Sequence, residues 1–371
     1  MKGILFFLTL CSLNIWAGPR EQAYRLHNRL TGVPPSPSVL SQMQAQIQSG
    51  NAQAAAEIAM QNPRFYDLTL KNWLKSWTNE DQSVRVPLND YVATVVGIIR
   101  DDLPFNNVLS GDILYVSGNN AAPDYDPENN DHYEYLENNH VSLSQTLQPV
   151  TQSSVTGIAD TAGVITTRAS GQAFFDAGTN RAMTRFVFIN FLCRDFEALH
   201  DITIPDIYVR RDVDRAPGGD SRQYKNKCVG CHAGQDALGG AFAYFDWDGS
   251  KVVYDPTQVQ NKVNANNLFS DGNVVTDDSW RNLWATGQNS VLGWRGVASG
   301  TGARSLGRYL ASTKAFSQCM AERVFNLVCV KKPESATEVA AVAAYADQFE
   351  DNNEYNMKEL IAKTSTLCLG E

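Results

Sequence analysis

One pentapeptide, Cys228-Val229-Gly230-Cys231-His232, carries the residue types and the spacing in this chain that are best suited to chemistry. Two thiols three residues apart, with an imidazole directly after the second, form the attachment pattern of a c-type haem. On one helical turn both thiols project from the same side and can reach the two vinyl groups of a porphyrin. The pattern therefore predicts one covalent haem c at Cys228 and Cys231, with His232 as the proximal iron ligand.

Three other interpretations of this cysteine pair are open. A structural zinc site would need a second ligand pair at short spacing, and the sequence contains no other CxxC and no HxxxH. A thioredoxin-like redox pair would follow a strand, whereas residues 220–227 are polar and turn-like. A disulfide between Cys228 and Cys231 would be strained because the two residues are only three apart. Haem attachment is the favoured interpretation.

The first residues of the chain are typical of a secretory signal. Apolar residues 4–10 follow a short basic start, and we expect cleavage near Ala17 or Gly18. A membrane anchor would need about 18 apolar residues, and this run breaks at Asn14. We therefore predict a signal peptide over 1–17, export to the bacterial periplasm or beyond, and no transmembrane segment after its removal.

Export and haem attachment support each other, because a c-type haem is joined to its thiols outside the bacterial cytoplasm. Once the signal is removed and two thiols hold haem, four cysteines remain: Cys193, Cys319, Cys329 and Cys368. An even number in an oxidising compartment predicts two disulfides. Four cysteines allow three connectivities, and all three stay open, as does the alternative of buried free thiols.

The composition describes a globular chain. Of the 371 residues, 43% are hydrophobic and 19% are charged, which provides ample material for a core. The formal net charge is −9, and no basic cluster stands out. An acidic chain of this kind argues against nucleic acid as a partner. The partner that we expect is a redox protein.

Apolar residues at helical spacing predict a mainly α fold, with helical layers, a cytochrome-c-like haem-binding segment and long irregular loops. Ser36-Pro37 provides a helix N-cap followed by proline at the first helical position. Turn-forming residues and carboxylates are instead concentrated in residues 116–165. We predict a helical region over 18–115, an irregular loop region over 116–165, a haem-binding region over 166–260 and a C-terminal helical region over 261–371.

Three further segments give local predictions. The apolar run from Arg181 to Cys193 favours a buried helix that continues to His200. Asp248-Gly249 predicts a hairpin turn. One helical pattern covers 306–328, and a final helix is expected over 339–349.

The stretch from Cys228 to Gly249 resembles the haem-motif segment of the cytochrome-c-associated domains of unknown function first described in planctomycetes. In those families CxxCH is followed by a Met-Asp-Pro-x-Gly-like segment and then Phe-Asp, and this chain has Asp236, Gly239 and Phe245-Asp246. Residues 29–35 and 306–312 are similar less specifically. The resemblance implies an exported, mainly helical monohaem protein.

This chain departs from the family pattern directly after the motif. Gln235 stands where relatives often carry Met, and Ala237 stands where they often carry Pro. Position 235 is three residues after His232, so its side chain lies on the proximal side of the haem. We therefore interpret the change as one beside the proximal ligand and not as a change of iron ligand.

A six-coordinate haem iron needs a second strong ligand, usually Met or His. The distal candidates are Met183 and Met320 on apolar stretches and the imidazole of His200, and an open site is a further alternative. His132 and His140 could fold over a haem face. A sixth protein ligand predicts electron transfer, which is the function we expect. An open site predicts a peroxidase- or oxidase-like oxidoreductase, and a third alternative is a disulfide-stapled, non-haem envelope binding protein.

Overall fold

The computed structural model describes residues 17–118, 121–351 and 354–370. Except for Ala17, the predicted signal peptide lies outside these residues. The fold is mainly α, as predicted, with small two-stranded sheets. No helix in the described part of the chain is long and apolar enough to cross a membrane.

The N-terminal region is helical. It comprises α1 (Pro19–Thr31), α2 (Pro37–Gln48), α3 (Ala52–Met60), α4 (Lys71–Leu74) and α5 (Asp90–Arg100). Side-chain oxygens of Ser36, Asn51 and Asn89 accept hydrogen bonds from backbone N–H groups and so begin α2, α3 and α5. Residues 90–99 of α5 are buried on every side, which makes α5 the central helix of this region.

The stretch 116–165 contains more regular structure than the sequence predicts. It holds most of an antiparallel two-stranded sheet of β1 (Leu114–Ser117) and β2 (Leu147–Val150), as well as α6 (Asp131–Asn138), α7 (Leu143–Thr146) and α8 (Gln152–Thr156). These helices have eight residues or fewer, which is too short for an apolar period to stand out. Asn130 and Asn138 lie at the ends of α6, where turn-forming residues are favoured.

The middle of the chain carries α9 (Arg168–Phe174) and α10 (Arg181–Leu192). The prediction that the helix of α10 runs on to His200 is wrong. Cys193 adopts a left-handed conformation with φ 53° and ends α10, and a separate 3₁₀ turn covers Phe196–Leu199. A left-handed residue reverses the helical path, which no apolar pattern signals.

The next elements lead into and out of the CxxCH motif. They are α11 (Ser221–Gln223), a π-helical turn (Tyr224–Cys228), α12 (Val229–Gly239) and the strands β3 (Phe245–Trp247) and β4 (Val252–Tyr254). The hairpin turn predicted at Asp248-Gly249 is confirmed, because it joins β3 to β4 with Gly249 at φ 98°.

The C-terminal part begins with an antiparallel pair of strands, β5 (Ser279–Arg281) and β6 (Ser299–Thr301), followed by α13 (Ala303–Ala311), α14 (Lys314–Cys329), α15 (Ala336–Asp351) and α16 (Met357–Ser365). The single pattern seen over 306–328 is split, because the Thr313 side chain caps a new helix at the Phe316 N–H. The final helix predicted over 339–349 lies within α15, and α16 was not predicted. Residues 261–302 hold only 3₁₀ turns and strands.

Two disulfides connect the helices. Cys193 at the end of α10 pairs with Cys319 of α14, and Cys329 at the end of α14 pairs with Cys368 near the C-terminus. The prediction of two disulfides from these four cysteines is confirmed, and the structure selects one of the three open connectivities. The free-thiol alternative is wrong for all four. Disulfides are compatible with an exported protein.

Most buried apolar residues belong to one large core, which joins α1, α3, α5, α10, α13, α14 and α16. A second, small cluster lies beside the motif and contains Val209, Val213, Tyr224, Val229 and Ala233. The partly buried Cys228 packs against this second cluster. The motif therefore lies where the main core gives way to short elements and loops.

Candidate haem-attachment site

The approach to the motif is helical. Asp220 accepts a hydrogen bond from the Arg222 N–H, which begins α11, and the chain continues through the π-helical turn into α12. The expectation of a turn-like approach over 220–227 is therefore wrong. Its polar side chains are those of a solvated helix, since residues 221–227 other than Tyr224 are exposed. Because the approach is helical, the strand that precedes a thioredoxin-like redox pair is not formed.

The helix that carries the motif is buried almost everywhere except at the motif side chains. From residue 228 to residue 243, only Cys228, Cys231 and His232 are partly exposed, and every other residue is buried. The helix α12 packs against α10, the 3₁₀ turn 196–199, β5 and the 3₁₀ turn 283–285. At α-helical geometry the three side chains fall within an arc of about 100°. We call them the open face of α12.

Two glycines allow the neighbouring side chains to approach α12 closely. A Cβ at Gly234 would lie 2.1 Å from the indole of Trp284, and a Cβ at Gly230 would lie 2.7 Å from the imidazole of His200. Such distances are far below van der Waals contact, so any other residue would push the helix or its neighbours aside. These contacts fix α12 and thereby the direction in which its open face points.

The two motif thiols are free. Cys228 and Cys231 form no disulfide, and the Cys231 Sγ lies 3.3 Å from the Phe196 carbonyl oxygen, to which it donates. Burial raises the pKa of the Cys231 thiol, and the charges of Glu197 and Asp195 raise it further. The Cys231 thiol is therefore held in its protonated, hydrogen-donating form.

The imidazole of His232 presents one nitrogen to the protein and the other outward. Its Nδ1 is buried and has no hydrogen-bond partner, while 28% of the side chain is exposed. The carboxylate of Asp236 lies beside the ring, with its Oδ2 3.9 Å from Nδ1. The accessible part of the ring is therefore the side that bears Nε2, which is the nitrogen suited to bind iron.

Asp236 belongs to a buried ionic network below the open face. Arg181 donates from Nε to Oδ1 at 2.6 Å and from Nη2 to Oδ2 at 2.9 Å, and the Arg210 backbone N–H donates to Oδ2 at 3.0 Å. Arg181 also forms two hydrogen bonds of 2.7 Å with Asp212. Burial alone raises the pKa of Asp236, but the Arg181 hydrogen bonds and the charges of Arg210 and Arg181 outweigh it and hold the pKa far below its ordinary range. Asp236 is therefore ionised.

Gln235, at the position where the family often has Met, also lies beside this network. It is 8% exposed, and its Nε2 donates to the Arg181 carbonyl oxygen at 3.1 Å. Gln235 thus ties α12 to the first turn of α10, one helical turn beyond the open face.

The donor set of the open face fits covalent haem c. Two free thiols and an outward-facing imidazole nitrogen share one accessible side of a fixed helix. No group of three or more His, Cys, Asp or Glu side chains that could hold a metal ion by itself occurs among residues 17–118, 121–351 and 354–370.

The structure does not bring the distal candidates to the open face. Met183 on α10 and Met320 on α14 are 1% and 0% exposed and belong to the large core. His200 does contact the motif, but it packs on Gly230. Residues 230 and 232 point to nearly opposite sides of a helix, so His200 lies behind α12 relative to His232.

His132 is a structural histidine of the N-terminal half, 3% exposed. Its Nδ1 lies 2.6 Å from the Pro123 carbonyl oxygen, and its Nε2 accepts a hydrogen bond from the Ser117 N–H at 3.0 Å. Both ring nitrogens are therefore used, and the expectation that His132 could fold over a haem face is wrong. His140 lies at the end of α6 and is exposed.

The ionic network was missed by sequence reasoning. One signal was available, because Asp236 is four residues after His232 and side chains at that spacing are neighbours on a helix. Arg181 and Arg210 come from segments that are 55 and 26 residues away from Asp236. No local pattern could reveal them.

Comparison with known proteins gave no match to any family model, curated protein or solved structure. The resemblance to the cytochrome-c-associated domains therefore stays a prediction based on residues 228–249. What the chain does must be inferred from the geometry of the open face of α12 and from its surroundings.

Proposed function

We propose that this chain is an exported c-type haem protein that acts in electron transfer with a redox partner protein. One haem c is attached through thioethers at Cys228 and Cys231, with His232 as the proximal iron ligand. The observation that carries the proposal is the open face of α12. Among residues 228–243, only the two cysteines and the histidine that haem attachment needs are partly exposed.

Each residue of the open face has a separate task in this function. Cys228 and Cys231 hold the edge of the porphyrin, and His232 directs Nε2 toward the iron while Nδ1 stays within the protein. The close contacts at Gly230 and Gly234 keep α12 from moving. When bound, the haem supplies an iron that accepts and releases one electron. A rigid, buried support limits the reorganisation that accompanies such a step.

A second candidate is a haem-dependent oxidoreductase with an open distal position. One observation favours it: Met183 and Met320 lie in the large core, and His200 lies behind α12. An iron without a strong sixth ligand can bind small molecules such as peroxide. The two functions share the attachment site and differ in what occupies the far side of the haem.

The attachment site is tested by expression with a c-haem maturation system. We expect a pyridine haemochrome spectrum of one thioether-linked haem per chain, and loss of covalent attachment in C228A/C231A. The double variant C329A/C368A removes two cysteines elsewhere and should keep its haem. A colourless wild-type protein would leave only the non-haem binding protein, and haem that acid acetone extracts would refute covalent attachment.

The distal side is tested on the same haem-loaded protein. Rapid binding of carbon monoxide by the reduced protein would favour the open site and the oxidoreductase. A low-spin spectrum that resists carbon monoxide would favour electron transfer, and loss of that spectrum in M183A, M320A or H200A would identify the ligand. His232→Ala should change the spin state in either case, because it removes the proximal nitrogen.

A further inference from the structure

One nitrogen at the open face is buried and unpartnered, namely Nδ1 of His232. A buried polar atom without a hydrogen bond is costly, so its surroundings should explain its presence. The group next to it is the carboxylate of Asp236, at 3.9 Å from Nδ1 to Oδ2. This distance is too long for a hydrogen bond but close enough for a strong electrostatic interaction in a buried site.

The charge on Asp236 is fixed by the protein. The carboxylate receives three N–H hydrogen bonds, two from the Arg181 guanidinium and one from the Arg210 backbone. Its side chain is 0% exposed, so no solvent screens it. An ionised carboxylate has only acceptor sites to offer. Any group that faces it is therefore favoured in its hydrogen-donating form.

The two nitrogens of a neutral imidazole are not equivalent, because one carries the proton and the other a lone pair. A lone pair on Nδ1 would face the negative charge of Asp236 and be repelled, whereas an N–H at Nδ1 is attracted. The field of Asp236 thus selects the Nδ1–H form of His232. This form leaves the lone pair on Nε2, on the accessible side of the ring.

We propose that Asp236 is a positioning residue that sets the tautomer of His232 and strengthens its donation to the haem iron. The iron part of this inference rests on the proposed function. Carboxylate–histidine–metal arrangements fix the ring and raise the basicity of the ligand. A more basic proximal nitrogen stabilises the ferric state, so Asp236 should lower the reduction potential.

The effect on iron is measured in haem-loaded D236N, with D212N as the matched control. Both variants remove one carboxylate from Arg181, but only Asp236 lies beside His232. We expect D236N to raise the midpoint potential by at least about 59 mV, a tenfold change in a one-electron equilibrium. The iron–histidine stretching frequency of the five-coordinate ferrous haem should fall in D236N and stay unchanged in D212N. D236E should restore part of both quantities. Equal potential shifts in D236N and D212N, with no change of the stretching band, would overturn the proposal.

The tautomer is measured without haem and without a variant at Asp236. In the ¹⁵N-histidine-labelled full mature chain, made without the maturation system, we expect the ¹⁵N shifts of His232 to show a protonated Nδ1 and an unprotonated Nε2. The resonances are assigned by their absence in H232Q. A dominant Nε2–H form would overturn the role of Asp236. Because this result needs no haem, a colourless wild-type protein would refute the proposed function and leave the tautomer result standing.

Discussion

The helical body and the motif region differ in what holds them in place. The body, made of α1–α5 and α13–α16, shares one large apolar core, and both disulfides anchor α14 within it. The motif helix α12 also packs against α10 and Trp284 of that core, but in addition it is bordered by short turns and strands, by a small apolar cluster and by the Asp236–Arg181 network. Apolar packing is insensitive to direction, whereas hydrogen bonds between charged groups fix angles.

The difference explains where chemistry is possible. A closely packed core offers no accessible side chain, and Met183 and Met320 illustrate this because both are buried in it. A site must expose its reactive groups and still hold them rigidly. In this chain the body contributes stability, and the network and glycine contacts orient the open face of α12.

The largest effect that this comparison predicts is the loss of a disulfide from the body. The Cys193–Cys319 bond spans 126 residues and the Cys329–Cys368 bond spans 39. The chain-entropy model gives about 5 kcal/mol for the first and about 4 kcal/mol for the second, because the longer loop restricts the unfolded chain more. We expect urea unfolding to show C193A/C319A as less stable than C329A/C368A.

Haem content provides the other half of this test. If stability lies in the body and orientation in the motif region, both double variants should still attach haem at low temperature. A double variant that keeps its unfolding free energy but loses haem would contradict this division between stability and orientation. The expected order of stability would be wrong if C329A/C368A were the less stable of the two.

A smaller effect is expected from adding one methyl group in each region. A Cβ at Gly307 of α13 would lie 1.7 Å from the Leu109 carbonyl oxygen, and one at Gly234 of α12 would lie 2.1 Å from Trp284. Overpacking costs about 1–3 kcal/mol, which outweighs the gain in helix propensity of about 0.5–1 kcal/mol. We expect G307A to lower the unfolding free energy with normal haem content, and G234A to lower haem content as well.

Each glycine variant serves as the experimental control for the other. Both place alanine on a buried helix, and they differ in which region must move. Unfolding curves give the stability, and haemochrome spectra of the same samples give the haem content. Normal haem content in G234A together with reduced content in G307A would reverse the assignment of roles.

The sequence predicts the parts of the fold that local patterns encode. The Ser36 cap, the Asp248-Gly249 turn and the even set of four cysteines all depend on residues close together in the chain or on simple counting. The disulfide connectivity could not be predicted, since Cys193 and Cys319 meet only after α10 and α14 have packed together. The left-handed Cys193 is likewise a product of tertiary structure.

The candidate site likewise has a part that the sequence predicts and a part that it does not. The positions of Cys228, Cys231 and His232 follow from the motif, and their shared accessibility is the finding that the structure adds. The distal candidates follow from residue type and from the apolar stretches that carry Met183 and Met320, and these say nothing of which side of α12 faces each candidate. Packing decides that question, and it places His200 on Gly230.

The smallest predicted effect concerns a charged contact of the body. Glu350 of α15 lies 2.8 Å from Arg295 and accepts a hydrogen bond from the Ser317 hydroxyl at 2.7 Å. Burial alone raises the pKa of Glu350, but these two groups and the Lys314 charge outweigh it and lower the pKa below its ordinary value of 4.5. We expect E350Q to cost about 1 kcal/mol at neutral pH, the usual size of such hydrogen bonds.

The pH dependence follows from the direction of that shift. A carboxyl with a lowered pKa in the folded state adds stability above its unfolded pKa, and it loses that stability as the pH falls through the folded value. The difference in unfolding free energy between the wild type and E350Q should therefore be constant near pH 7 and shrink below about pH 4.5. The variant E57Q, at an exposed site on α3, should cost less at neutral pH. If E350Q cost as much as a disulfide, ionic contacts would hold the body as they hold the motif region, and the contrast between the two would disappear.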